Sequence, residues 1–223
     1  FAIIESSLLM IDLKIKIIKY IKKLNSTNLS PLVSGNISIR TRKNGINGFL
    51  ITPSGRKYNN LKPRDIVFVS ESGDFGKNQA APSSEWQFHR DIYLSKKGVK
   101  SIVHCHSVCA TAVSSFQKSI PAFHYMIAIA GGNDIKCAEY GIFGSKKLSN
   151  NINKALKNRL ACIISNHGQV AVGKSIEDAF ELAEEVENLC HQYITSLRVG
   201  IPKILSKKEM ERVLEKMKDY KRR

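Results

Sequence analysis

Two short apolar segments on either side of a glycine-containing reversal set the first constraint on this chain. Ile37-Ser38-Ile39-Arg40 alternates apolar and polar residues, Lys43-Asn44-Gly45-Ile46-Asn47-Gly48 carries turn residues, and Phe49-Leu50-Ile51-Thr52 returns. Period-two patterning across an Asn-Gly turn specifies an antiparallel hairpin. Parallel neighbours would need a crossover of a dozen residues or more, and the connection here is too short for one. Further along, strand-like segments fall at 66–69, at 101–106 and on both sides of His167 (161–164 and 169–172). Helical periodicity covers 10–24, with Ile17, Ile18, Ile21 and Leu24 on one face. A second helix follows Pro82, with Ser83 or Ser84 as its cap and Trp86, Phe88, Ile92 and Tyr93 as its apolar face. Other helices are expected at about 108–116, 144–157, 175–198 and 206–220, and 120–140 reads as irregular. The order is not a strict βαβ alternation. It predicts an α/β fold of three layers, a mainly antiparallel central sheet flanked by helices, rather than a Rossmann sheet.

A chain of 223 residues suits one well-buried domain. That domain is expected over 10–223, with residues 1–9 an upstream or non-native extension, since Met10 begins the first periodic segment. Five cysteines, an odd number without regular spacing, argue against a disulfide framework and for reduced thiols in a cytoplasmic protein. No apolar run approaches the ~20 residues of a membrane span, and the first residues lack the basic stretch of a signal peptide. The net charge of +16 raises the question of nucleic acid. The lysines are scattered over many elements without interleaved aromatics, so a solvated basic surface is expected, with no specific nucleic-acid partner. Such a surface would also attract a phosphorylated substrate.

The chemistry concentrates in three places. His104-Cys105-His106 closes a predicted strand, and extended backbone puts His104 and His106 on one side. His167 follows another predicted strand within Asn166-His167-Gly168. Two histidines at i and i+2 can be ordinary partly buried side chains, but three neutral imidazoles converging at strand ends would leave one position of a tetrahedral zinc open for chemistry. His89 and His191 read as helix-surface or packing residues. Glu85, at the start of the second helix, would complement the helix dipole or serve as a carboxylate that binds a metal and moves a proton. Ser34-Gly35-Asn36, Ser54-Gly55 and Ser83-Ser84 each read either as a turn or as a cradle for an anion.

These stretches, with Ile51-Thr52-Pro53, Pro82, Trp86, Ile120-Pro121-Ala122-Phe123-His124-Tyr125-Met126-Ile127, Gly131-Gly132-Asn133 and the tail Leu214–Tyr220, closely resemble the class II aldolase/adducin family, and within it the fuculose-phosphate branch. The resemblance spans almost the whole chain from the first helix. It implies zinc ligation by His104, His106 and His167, with Glu85 as a further ligand at rest and as the catalytic acid/base. It implies phosphate binding by Gly35, Asn36, Ser54, Gly55, Ser83 and Ser84, catalytic assistance from Tyr125 and Tyr220, and a homotetramer with active sites between subunits. The implied activity is zinc-dependent retro-aldol cleavage of a ketose 1-phosphate. The alternatives are an aldolase or dehydratase acting on 5-deoxyribulose or 5-methylthioribulose 1-phosphate, a pentulose-5-phosphate 4-epimerase, or a non-catalytic adducin-like module. Cobalt or manganese would suit a similar ligand set.

Overall fold

The structure, a computed structural model, describes residues 2–27, 29–31 and 33–220, with side chains over 8–218 apart from 28 and 32. Eight strands make one sheet: β1 (Gly35–Lys43), β2 (Ile46–Ile51), β3 (Val67–Ser70), β4 (Ser101–Cys105), β5 (Ile120–Pro121), β6 (Asp134–Ala138), β7 (Ala161–Ile164) and β8 (Gly168–Gly173). Their order is β3-β2-β1-β4-β8-β7-β6-β5. The expected hairpin is β1–β2, closing through Lys43 opposite Ile46. Every neighbouring pair is antiparallel except β6–β7, which agrees with the mainly antiparallel sheet read from the sequence.

Among the described residues six α-helices flank the sheet: α1 (Ala2–Ser26), α2 (Trp86–Ser95), α3 (Val108–Ser114), α4 (Lys146–Ala155), α5 (Ile176–Val199) and α6 (Lys207–Tyr220). Strand alternation divides the core in two. Ile37, Leu50, Val103, Ile163 and Ala171 pack with Ile17, Ile21 and Leu24 of α1 and with Phe180, Val186 and Leu189 of α5. Phe49, Ile51, Ile102, Ile164 and Val172 pack on the other face with Phe88 and Ile92 of α2 and with Leu148 and Ile152 of α4. The result is three layers.

Three local readings need correction. α1 begins at Ala2 rather than Met10, because nothing between them breaks a helix. Neither Ser83 nor Ser84 caps α2: Glu85 occupies the N-cap position, its side chain making no cap hydrogen bond. The span 120–140 is not irregular throughout, since it holds β5, a 3-10 helix at Tyr125–Ala130 and β6. Among the described residues no helix is long and apolar enough to cross a membrane, and all five cysteines are free.

Candidate active site

The site lies where β1, β4 and β8 meet the start of α2. β4 pairs with β1 so that Asn36 stands opposite His104, and with β8 so that His104 stands opposite Val170. His104 and Ile102 share the face toward α2, and His106 follows just past the strand end. His167 sits in the β7–β8 turn, where Asn166 takes the left-handed conformation (φ 53°). That turn is tied down by His167 N–H donating to Ile164 C=O (3.0 Å) and Asn166 N–H donating to Ser114 C=O (3.2 Å). Two glycines permit the close packing. A Cβ on Gly168 would stand 2.4 Å from the Cys105 carbonyl oxygen, and one on Gly35 would stand 2.8 Å from that of His104. Only hydrogen fits at either position.

The three histidines converge. Their ligand atoms lie within 4.8 Å of one another, and Nε2 of His104 is 3.1 Å from Nε2 of His106. His104 Nδ1 is 2.8 Å from the Gln169 carbonyl oxygen. A carbonyl only accepts, so Nδ1 carries a proton and a neutral His104 presents a bare lone pair at Nε2. That lone pair faces Glu85 Oε2 at 3.1 Å. Glu85 Oε1 is buried and accepts no hydrogen bond, although His167 Nε2 is 3.4 Å away. Imidazole and carboxylate electron pairs therefore point at one small volume with too few protons between them. A divalent cation fits this arrangement, and the borderline-soft imidazole donors suit zinc among others.

Electrostatics agree with ligation. Burial, reinforced by repulsion from the neighbouring histidines, pushes His106 down to about 3. Burial and His104 push His167 down to about 4, so both rings are neutral donors at ordinary pH. Burial also opposes charge on His104, but the Glu85 carboxylate and the Gln169 carbonyl outweigh it and raise that pKa. Burial opposes the Glu85 charge in turn, yet His104, His167 and the Asn36 amide hold its pKa well below the usual carboxylate range. Without a metal, His104 and Glu85 share the proton that a cation would displace.

Beside the histidines opens a cavity of about 350 Å³. The antiparallel contact of Pro53 with Pro82 brings two distant loops together, through Ser54 N–H to Ala81 C=O and Ser83 N–H to Thr52 C=O (both 3.0 Å). Gly35, Asn36, Ser54, Gly55, Ser83, Ser84 and Glu85 line this cavity with His106 and His167. Asn36 differs from a free anion ligand, because its side chain is buried and donates to Glu85 Oε2 (3.0 Å). Tyr125 is not brought to the cavity: it opens the 3-10 helix, about half exposed. Tyr220 ends α6, and its side chain lies outside the described residues.

Sequence reasoning missed Tyr140 and Phe143, which form a wall of the cavity. Exposed aromatics in a loop carry no periodic signal. It also placed His89 too loosely. His89 is fully buried between α2 and β1, with Nδ1 2.7 Å from Ser38 Oγ and Nε2 2.5 Å from Asn36 Oδ1. His191 is exposed on α5, as expected.

The chain is thus a mainly antiparallel sheet flanked by helices, with three histidines converging at strand ends. Residues 15–194 match the Class II Aldolase and Adducin N-terminal domain, and the chain belongs to that family, as an aldolase-type lyase. It is 45% identical over 188 residues to an L-fuculose phosphate aldolase of Escherichia coli strain K12, covering 84% of this chain and 85% of that protein. It is 42% identical over 199 residues to a 5-methylthioribulose-1-phosphate/5-deoxyribulose-1-phosphate aldolase of Rhodospirillum rubrum, covering 89% and 88%. A solved structure of an L-fuculose 1-phosphate aldolase superposes with a TM-score of 0.87 at 37% identity, covering 93% of this chain and 96% of that one.

Proposed function

We propose that the protein cleaves L-fuculose 1-phosphate to dihydroxyacetone phosphate and L-lactaldehyde, as one class II aldolase domain over 10–223 acting in the cytoplasm. The observation that carries the reading is the position of Glu85, between three convergent imidazoles and the serine and glycine loops of the cavity. A divalent cation held by His104, His106 and His167, zinc in this reading, supplies Lewis acidity where negative charge develops as the C3–C4 bond breaks. Gly35, Ser54, Gly55, Ser83 and Ser84 bind the phosphate, with backbone amides and hydroxyls as donors. This remote binding holds the carbon chain in register with Glu85.

When the C4 hydroxyl loses its proton, the C3–C4 pair moves onto the dihydroxyacetone phosphate fragment and the aldehyde departs. Glu85, once it has taken up a proton equivalent to the one lost from the C4 hydroxyl, delivers it to C3, and its place beside the ligand nitrogens suits that task. Tyr125, exposed and outside the lining of its own cavity, would take the C4 hydroxyl proton at a neighbouring subunit's site while passing its own phenolic proton on, with Tyr220 assisting. A homotetramer with shared active sites supplies that arrangement.

A second reading concerns only the aldehyde end. The Rhodospirillum rubrum relative is named for 5-methylthioribulose and 5-deoxyribulose 1-phosphates, and Tyr140 and Phe143 offer an apolar wall to such a terminus. Incubation of the metal-loaded enzyme with both ketose phosphates, with dihydroxyacetone phosphate and each aldehyde quantified, tests the proposal. A higher kcat/KM for L-fuculose 1-phosphate supports the first reading. Preference for the 5-deoxy substrate selects the second, and an epimer without triose phosphate rejects both.

A further inference from the structure

From the N-cap of α2, Glu85, His89 and Tyr93 recur every four residues, which aligns them along one face of the helix. On β1, Asn36 and Ser38 lie two apart and share the sheet face opposite. The five side chains form one continuous chain. Tyr93 Oη is 2.7 Å from Ser38 Oγ, and Ser38 Oγ is 2.7 Å from His89 Nδ1. His89 Nε2 is 2.5 Å from Asn36 Oδ1, and Asn36 Nδ2 is 3.0 Å from Glu85 Oε2. All five are buried, from 0% exposed at His89 and Ser38 to 6% at Glu85. Polar groups so deep between a helix and a sheet are tolerated only if each is satisfied.

Donor and acceptor rules leave one consistent orientation. An ionised carboxylate only accepts, so Asn36 turns its NH2 toward Glu85 and its oxygen toward His89. That oxygen only accepts, so the proton of His89 sits on Nε2 and Nδ1 is bare. Ser38 donates to Nδ1, and its oxygen accepts from Tyr93. Every donor then points along the chain toward Glu85. The opposite tautomer would set the Nε2 lone pair against Asn36 Oδ1. Relief of that repulsion flips the amide and puts its oxygen on the carboxylate.

We propose that His89 is a positioning residue for Glu85: its Nε2–H tautomer locks the Asn36 amide, which anchors Oε2 and leaves Oε1 as the carboxylate oxygen free to exchange a proton with substrate. Ser38 and Tyr93 hold the tautomer. The proposal rests on Glu85 being the acid/base of the reaction. The sequence carries the device as Glu-x-x-x-His-x-x-x-Tyr on the helix and Asn-x-Ser on the strand.

Two arms test it. Nitrogen-15 NMR of histidine-labelled, metal-loaded, full-length protein reads the tautomer without any substitution. A protonated Nε2 and a bare Nδ1 are expected for His89, and the reverse overturns the proposal. The second arm compares His89→Gln, whose amide nitrogen reproduces the Nε2 donor, with His89→Asn, which is too short to reach Asn36. The asparagine variant should lose kcat by about 10- to 100-fold, as outer-shell partners of reactive groups commonly do. KM and metal content should stay within about twofold, and the glutamine variant should recover most of kcat. Equal losses in both variants, tracking lost metal or folded protein, would mark His89 as structural only. Absence of aldol cleavage in the wild type would refute the assigned reaction, while the NMR arm would still decide the tautomer.

Discussion

Replacement of Glu85 by glutamine is the perturbation that separates chemistry from architecture. Glutamine has nearly the same shape, and its carbonyl oxygen can still accept from Asn36 Nδ2, now 3.0 Å from Oε2. What disappears is the charge and the capacity to carry a proton. Opposite charges 3.1 Å apart, the His104–Glu85 separation, attract by on the order of 5 kcal/mol at an effective dielectric of ~20. The desolvation cost of the buried pair opposes that gain, so the variant should fold with a Tm close to wild type. Its amide nitrogen competes weakly with a cation at the imidazoles, and metal affinity should fall only modestly. Turnover should fall far more. Loss of a placed acid/base costs about 10²- to 10⁴-fold, or roughly 3–5 kcal/mol of barrier. The assay couples dihydroxyacetone phosphate to its dehydrogenase for kcat. In parallel, proton NMR in D2O follows exchange of the C3 hydrogen of dihydroxyacetone phosphate, which needs proton transfer but no bond cleavage. Both rates should collapse together while metal content holds. Near-normal cleavage, or exchange that survives when cleavage is lost, would refute Glu85 as the group that protonates C3.

Metal uptake should be linked to pH. His106 and His167 are neutral at ordinary pH, but the raised His104 keeps a proton that a cation must displace. Affinity should therefore rise with pH until it passes the His104 pKa, and calorimetry in buffers of different ionisation enthalpy should detect about one proton released per metal. Acid stability of the metal-free protein has the opposite origin. His89 is fully buried and pushed down to about 3 by burial first and His104 second. The unfolded chain binds a proton near pH 6.5 that the folded one refuses until about pH 3, so between those values stability falls by up to about 1.4 kcal/mol per pH unit from this residue alone. Denaturant melts of His89→Gln should show a shallower loss over that window. Gly168→Ala sets a methyl 2.4 Å from the Cys105 carbonyl oxygen, and should cost ~1–3 kcal/mol as β8 is forced from β4. Its metal occupancy should fall with Tm, because the strand ends carrying His106 and His167 are spread.

The parts of the fold visible in the sequence are those fixed by local rules. The β1–β2 hairpin announces itself through alternation and Asn44-Gly45, and α5, expected over about 175–198, runs Ile176–Val199 behind Ser175, whose side chain accepts from Asp178 N–H. The pair His104 and His106 was legible because strand geometry alone puts them on one side. Joining His167 and Glu85 to them takes pairing across β4 and β8 and the docking of α2, which are long-range contacts with no local trace. β6 escaped because Asp134-Ile135-Lys136-Cys137-Ala138 lies near the sheet edge, with Lys136 exposed. The apolar face expected for α2 is buried at Phe88, Ile92 and Tyr93, and of the two roles open to His89 the packing one holds, because Asn36 and Ser38 answer it from β1. The serine cap was misread because Ser83 Oγ, aimed at the Glu85 N–H (3.4 Å), belongs to the turn before the helix.

Carbon-13 NMR of L-fuculose 1-phosphate incubated with the enzyme, before and after metal removal by a chelator and restoration with zinc, reads metal-dependent cleavage without a coupling enzyme. Signals of dihydroxyacetone phosphate and lactaldehyde should appear, vanish on chelation and return with zinc. Unchanged ketose phosphate with the zinc-loaded protein, or cleavage at full rate in the chelated protein, would contradict it.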